Sequence, residues 1–144
     1  MADGKIYYDA IISNDIFKSH PDVRIYAFIE RMDLAYNVAD IVVSRAGAIA
    51  ISELCITGKP AILIPSPNVA EDHQTKNAQA LVHKNAAILL PDAEAKENLF
   101  QTLLSLAGDK ERQNQLIGNI SSLAIPDAAQ RIAEEALNII KQRN

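Results

Sequence analysis

The sequence is short of several things that would each have pointed to a particular function. It has one cysteine, Cys55, so no disulfide can close within the chain, and the setting that fits it is a reducing cytoplasm. It has no basic excess: the formal net charge is -4, whereas a nucleic-acid partner demands a basic face. No run approaches the ~20 apolar residues that cross a bilayer. Met1-Ala2-Asp3-Gly4 leads into a polar-studded segment rather than a secretory leader. Repeats and low-complexity tracts are absent too, which sets aside solenoids and compositionally biased linkers. What is present is the composition of one ordinary globular domain: 144 residues, 49% hydrophobic and 22% charged, enough to bury a real core.

Residues 41–65, IVVSRAGAIAISELCITGKPAILIP, organise the rest. Ile41-Val42-Val43 is β-branched without alternation, as in a parallel strand covered on both faces. Ser44-Arg45-Ala46-Gly47-Ala48 is small and holds a glycine, so the backbone can turn sharply and a ligand can come close. Helical spacing follows, with Ile51, Leu54 and Cys55 on one face, until Gly58 and Pro60 end it; residues 61–64 return as a strand. Strand, small-residue turn and helix in that order put free N–H groups and the positive helix end at the carboxyl edge of the sheet. That is an anion site suited to a phosphate. Glu53 lies opposite the apolar stripe. It is either an ordinary solvated carboxylate or an acceptor for vicinal hydroxyls such as those of a ribose. Cys55, on the stripe itself, reads as a small hydrophobe.

On either side the pattern alternates helices and strands. Residues 6–18 read as a helix, residues 23–28 as a strand from their alternation, residues 32–39 as a short helix, and Asp40 as the break before Ile41. After Pro65 the loop 66–71 is proline-rich and long enough to bind something. Asp72 is the expected N-cap of a helix to about Lys84, whose first turns place His73, Gln74 and Asn77 on one side. Those three side chains suit the hydroxyls of a sugar; the alternative is a polar helix end facing water. His20 and His83 read as surface residues. Residues 86–90 form a further strand, and Ala95, Leu99, Leu103 and Leu106 are the inner face of the next helix, stopped at Gly108. Asp109 caps a short helix to about Asn119, and Pro126-Asp127 opens a last helix patterned for one-sided packing. The expected class is α/β: a Rossmann-like, mostly parallel sheet flanked by helices, with ligands beyond the carboxyl ends of the strands.

The three segments SRAGA, SELCITGKPAILIPSP and EDHQTKNA, in that order and spacing, resemble the C-terminal domain of the MurG family, the bacterial glycosyltransferases that make lipid II. The likeness runs from about Gly4 to Ile140. It implies the donor-binding half of a glycosyltransferase-B fold, and transfer of N-acetylglucosamine from UDP-N-acetylglucosamine to the undecaprenyl-pyrophosphoryl-muramyl-pentapeptide lipid. On the matching positions it implies that backbone groups at Ile29, after Phe28, read the uracil edge, with Met32 nearby. Ala48, Ile49 and Ala50 supply N–H groups to the diphosphate, and Glu53 holds the ribose hydroxyls. His73, Gln74 and Asn77 contact the sugar, with His73 standing where the family often has Gln. Ser44, Arg45 and Gly47 also match, and Arg45 is open to two readings, a structural role or a phosphate contact.

The resemblance further implies that these residues are one donor-binding domain, a fragment lacking the acceptor-binding N-terminal domain and the first strands of its own sheet. It implies no cofactor or metal, no catalytic residue within this stretch and no transfer by this stretch alone. The location implied is cytoplasmic, with the whole enzyme peripheral on the inner membrane. Lost neighbours in the sheet lead to the expectation that strands 23–28 and 41–44 pair with each other, or join edge to edge in a homodimer. A second reading is a non-catalytic UDP-sugar-binding subunit docked to a separate acceptor-binding partner. A UDP-sugar epimerase of the same fold would need acid/base residues that the sequence does not offer.

Overall fold

The computed structural model describes residues 21–67 and 72–142. The helix expected over 6–18, His20 and part of the loop 66–71 lie outside the described residues. The chain divides into two units, Met1–Val38 and Ala39–Asn144.

In the first unit, the strand expected at 23–28 is not formed: the stretch is irregular, with Tyr26 and Phe28 exposed by 66% and 80%. The physical reason is that β-propensity measures fit to a pleated, half-buried surface. Alternating Val, Ile, Tyr and Phe make a strand only where a neighbour offers its ladder, and among the described residues none pairs here. Helix α1, Met32–Val38, follows as expected. The Arg31 guanidinium forks onto the Asp33 carboxylate at 2.8 and 2.6 Å, which holds Asp33 below the usual carboxylate range.

The second unit carries the α/β pattern. Its elements are β1 (Val42–Ser44), α2 (Ala48–Thr57), β2 (Ala61–Leu63), α3 (His73–Val82), β3 (Ile88–Leu89), α4 (Asp92–Gly108), α5 (Lys110–Ser121) and α6 (Ala128–Gln142). The strands form one parallel sheet in the order β1-β2-β3, with Val42 beside Ala61 and Ile62 beside Ile88. Parallel neighbours need a crossover between them, and α2 and α3 supply the two. β2 is central and wholly buried, which is why its sequence is unbroken apolar. β1 was expected to be covered on both faces, but Val43 is 40% exposed, and among the described residues β1 pairs only with β2.

Ile62, Ile64, Leu90, Leu106 and Leu116 form the core, with Leu99 and Leu103 of α4 packed against it. α5 packs on both α2 and α4, and α3 on α2 and β3. Two helix ends are set by local chemistry. Gly58 takes the left-handed conformation at φ 62° and donates its N–H to the Leu54 carbonyl at 2.9 Å, ending α2. The Asp109 carboxylate accepts from the Arg112 N–H at 2.8 Å, starting α5.

Two expectations are corrected. Asp72 does stand before α3, but its backbone is left-handed (φ 56°, ψ 31°) and its side chain caps nothing. An N-cap carboxylate reaches the next amides from extended backbone, and a left-handed residue aims it elsewhere. The last helix, patterned for one-sided packing, has no buried residue, and Ile132 and Leu137 are 71% and 56% exposed. The stripe states that the helix can cover an apolar surface; among the described residues none is laid against it.

Candidate functional site

The chain leaves β1 at Ser44 and enters α2 at Ala48, so the turn 44–47 sits at the carboxyl edge of the sheet. The ladder confirms that orientation: Ile64 N–H bonds to the Ser44 carbonyl at 2.9 Å, and Leu90 N–H to the Leu63 carbonyl at 2.9 Å. Gly47 is the N-cap, with extended backbone (φ -70°, ψ 147°) and no side chain to satisfy the helix start. The first bond of α2 is Ile51 N–H to the Gly47 carbonyl, 3.0 Å. The N–H groups of Ala48, Ile49 and Ala50 have no intrahelical acceptor by geometry, and they carry the positive end of the dipole. Ala48 and Ile49 are exposed and Ala50 half-buried, so those amides lie at the surface.

The polar side chains singled out in the sequence gather around this turn, but several hold backbone. Asn77 donates through Nδ2 to the Ala46 carbonyl at 3.2 Å. Gln74 accepts from the Ser66 N–H at 2.9 Å, pinning the start of the loop after β2. The Ser44 hydroxyl donates to the Arg45 carbonyl at 2.9 Å. Arg45 donates to the carbonyls of Ile64 and Pro65, at 3.2 and 3.4 Å, and pairs with the Asp92 carboxylate. Glu53 is half-buried one turn into α2, and His73 is exposed at the start of α3.

A cleft of about 440 Å³ opens at this edge, lined by Pro65, Pro67, Asp72, Thr75, Pro91 and Asp92 among others. Phe28, Ile29 and Met32 belong to the first unit. Phe28 and Ile29, with Tyr26, Leu34 and Val38, line an apolar depression of about 590 Å³, and Met32 is 36% exposed. Reading the sequence missed Asp92, which lies 47 residues from Arg45 and carries no local signal of that partner. It likewise missed Asn77 as a support of Ala46. Among the described residues, no three His, Cys, Asp or Glu side chains gather closely enough to hold a metal ion. His83, like the sequence reading, is a surface residue.

A parallel sheet whose βα turn presents an uncapped helix start at the carboxyl edge, flanked by amide side chains and a carboxylate, defines the Rossmann-like class of α/β domain. Within that class the family is shown by sequence. The chain belongs to the glycosyltransferase family 28 C-terminal domain family, whose pattern matches residues 4–132. It is 50% identical over 141 residues to a Parabacteroides distasonis protein named UDP-N-acetylglucosamine--N-acetylmuramyl-(pentapeptide) pyrophosphoryl-undecaprenol N-acetylglucosamine transferase, covering 97% of this chain and 38% of that protein. A Porphyromonas gingivalis protein of the same name is 52% identical over 140 residues, covering 96% of this chain and 36% of the relative. The crystal structure of Acinetobacter baumannii MurG matches 78% of this chain with a TM-score of 0.70 at 28% identity, over 34% of that protein. The chain therefore spans well under half the length of the relatives it matches.

Proposed function

We propose that this chain binds UDP-N-acetylglucosamine as the donor half of a hexosyltransferase that delivers N-acetylglucosamine to the undecaprenyl-pyrophosphoryl-muramyl-pentapeptide lipid of peptidoglycan synthesis. The observation that carries the reading is the uncapped start of α2 at the sheet edge, in a chain about half identical to transferases of that name. In this reading the 144 residues are one donor-binding domain, and the diphosphate lies against the amides of Ala48, Ile49 and Ala50. Oriented N–H groups and a helix dipole stabilise a leaving diphosphate in the way they stabilise any developing anion. Glu53 accepts from the ribose hydroxyls, and Ile29 backbone groups meet the uracil edge. Gln74, His73 and Asn77 face the sugar. The bonds from Gln74 to Ser66 and from Asn77 to Ala46 leave each amide with its other polar atom for a hydroxyl.

Transfer, in this reading, also needs the further length that the relatives have, which meets the lipid acceptor at the cytoplasmic face of the inner membrane. Among the described residues no helix is long and apolar enough to cross a membrane. The side of β1 away from β2, which no described strand pairs, is in the same proposal where a second copy joins.

Calorimetry with UDP and with UDP-N-acetylglucosamine, on wild type and Glu53→Ala, tests the donor site. Loss of a charged hydrogen-bond acceptor should weaken binding by roughly 1.5–3 kcal/mol. An unchanged affinity removes Glu53 from the site, and absence of UDP binding by the wild type removes the proposal.

A further inference from the structure

The turn that precedes α2 is restrained at two successive residues from two different directions. Ala46 is fully buried, and its carbonyl accepts from Asn77 of α3. Arg45 sends its side chain the other way, across the exit of β2, where Nη1 meets the Ile64 and Pro65 carbonyls. There the guanidinium is met by Asp92, the first residue of α4. A carboxylate in the first turn of a helix is favoured by the dipole, so Asp92 is a placed anchor. The pair is half exposed, with side-chain exposures of 55% and 36%, so water screens it and its worth to global stability is small. Its effect is geometric: it ties the exit of β1 to the exits of β2 and β3.

We infer that Asp92 is a positioning residue for the anion-binding end of α2, acting through Arg45 to hold the Ser44–Gly47 turn and so the direction of the Ala48, Ile49 and Ala50 amides. The inference rests on the donor-site reading for the identity of the anion. Of the two readings of Arg45 it takes the structural one. A guanidinium whose Nη1 meets two backbone carbonyls and whose charge is matched by a carboxylate acts as a brace for the backbone.

The test uses the 144-residue chain and the variants Asp92→Asn, Asp92→Glu and Arg45→Lys. The first readout is the amide resonances of residues 46–50 in the ligand-free protein. The second is UDP affinity by calorimetry. Asp92→Asn should move the 46–50 resonances while those of α5 stay in place, and weaken UDP binding roughly five- to tenfold, the scale of one lost hydrogen bond. Asp92→Glu should restore both. Arg45→Lys keeps the charge but loses the planar guanidinium that reaches two carbonyls and a carboxylate at once, so it should move the same resonances.

Unmoved resonances in Asp92→Asn would overturn the inference. So would a rise in UDP affinity, because releasing Arg45 toward the phosphate would show it to be a direct ligand. If the wild type fails to bind UDP, the donor reading falls, and the resonances of the free protein still decide whether the brace exists.

Discussion

Replacing Gly58 by alanine should destabilise the second unit by about 1.5–3.5 kcal/mol, and the sum has two separable parts. Gly58 sits at φ 62°, where a Cβ crowds the following carbonyl; that costs roughly 1–2 kcal/mol for a residue other than glycine. The added Cβ would also lie 2.5 Å from Ser121 Oγ and 3.8 Å from Ser121 Cβ. The hydroxyl must leave, and turning it out of its preferred position costs about 0.5–1.5 kcal/mol. In urea titrations the midpoint should fall with the slope unchanged. The melting temperature should drop by roughly 3–14 °C at about 2–4 °C per kcal/mol for a domain near this size. Adding Ser121→Ala to Gly58→Ala should recover only the steric part, because the remaining Cβ stands at ordinary contact distance. A Gly58→Ala protein as stable as wild type would refute the left-handed cap as the stop of α2. Failure of Ser121→Ala to recover anything would refute the contact between the end of α2 and the end of α5.

Three further outcomes follow from the same structure. Asp109→Ala removes the acceptor for the Arg112 N–H and should cost about 1 kcal/mol in denaturant titrations, while Asp109→Asn stays near wild type; equal losses in both would discount the cap. Cys55 is 6% exposed and burial pushes its thiol above the ordinary value, so it should react slowly with a disulfide reagent at pH 8 until urea is added. Because the folded thiol titrates higher than the unfolded one, its contribution to stability is full below the ordinary thiol value and is lost as pH rises through the raised one. A Cys55→Ala variant with the same alkaline stability loss as wild type would contradict that assignment. Finally, Val42 N–H and the Ser44 carbonyl both bond toward β2, which turns the Val43 N–H to the side of β1 away from β2. Light scattering should show a concentration-dependent dimer abolished by Val43→Pro, which removes that donor and spares the β2 ladder; a monomer at all concentrations would sink the edge-pairing proposal.

Much of the second unit could be read from the chain because its causes are local. The β-branched run at 42–43, the small turn 44–48, the stop at Gly58, the stripe Leu99-Leu103-Leu106 and the cap Asp109 each act within a few residues, and each stands where the sequence put it. The α/β class and the open start of α2 follow from their order. What the tertiary structure alone decided is everything that depends on a distant neighbour. Residues 23–28 have strand chemistry but no ladder among the described residues, and Val43 is 40% exposed where cover on both faces was expected. Gln74 and Asn77 look like ligands in sequence, and in space they also hold the loop after β2 and the turn after β1. Arg45 meets Asp92 across 47 residues, a pairing that no periodicity, propensity or spacing encodes, because it exists only once three strand ends are brought to one edge of a sheet.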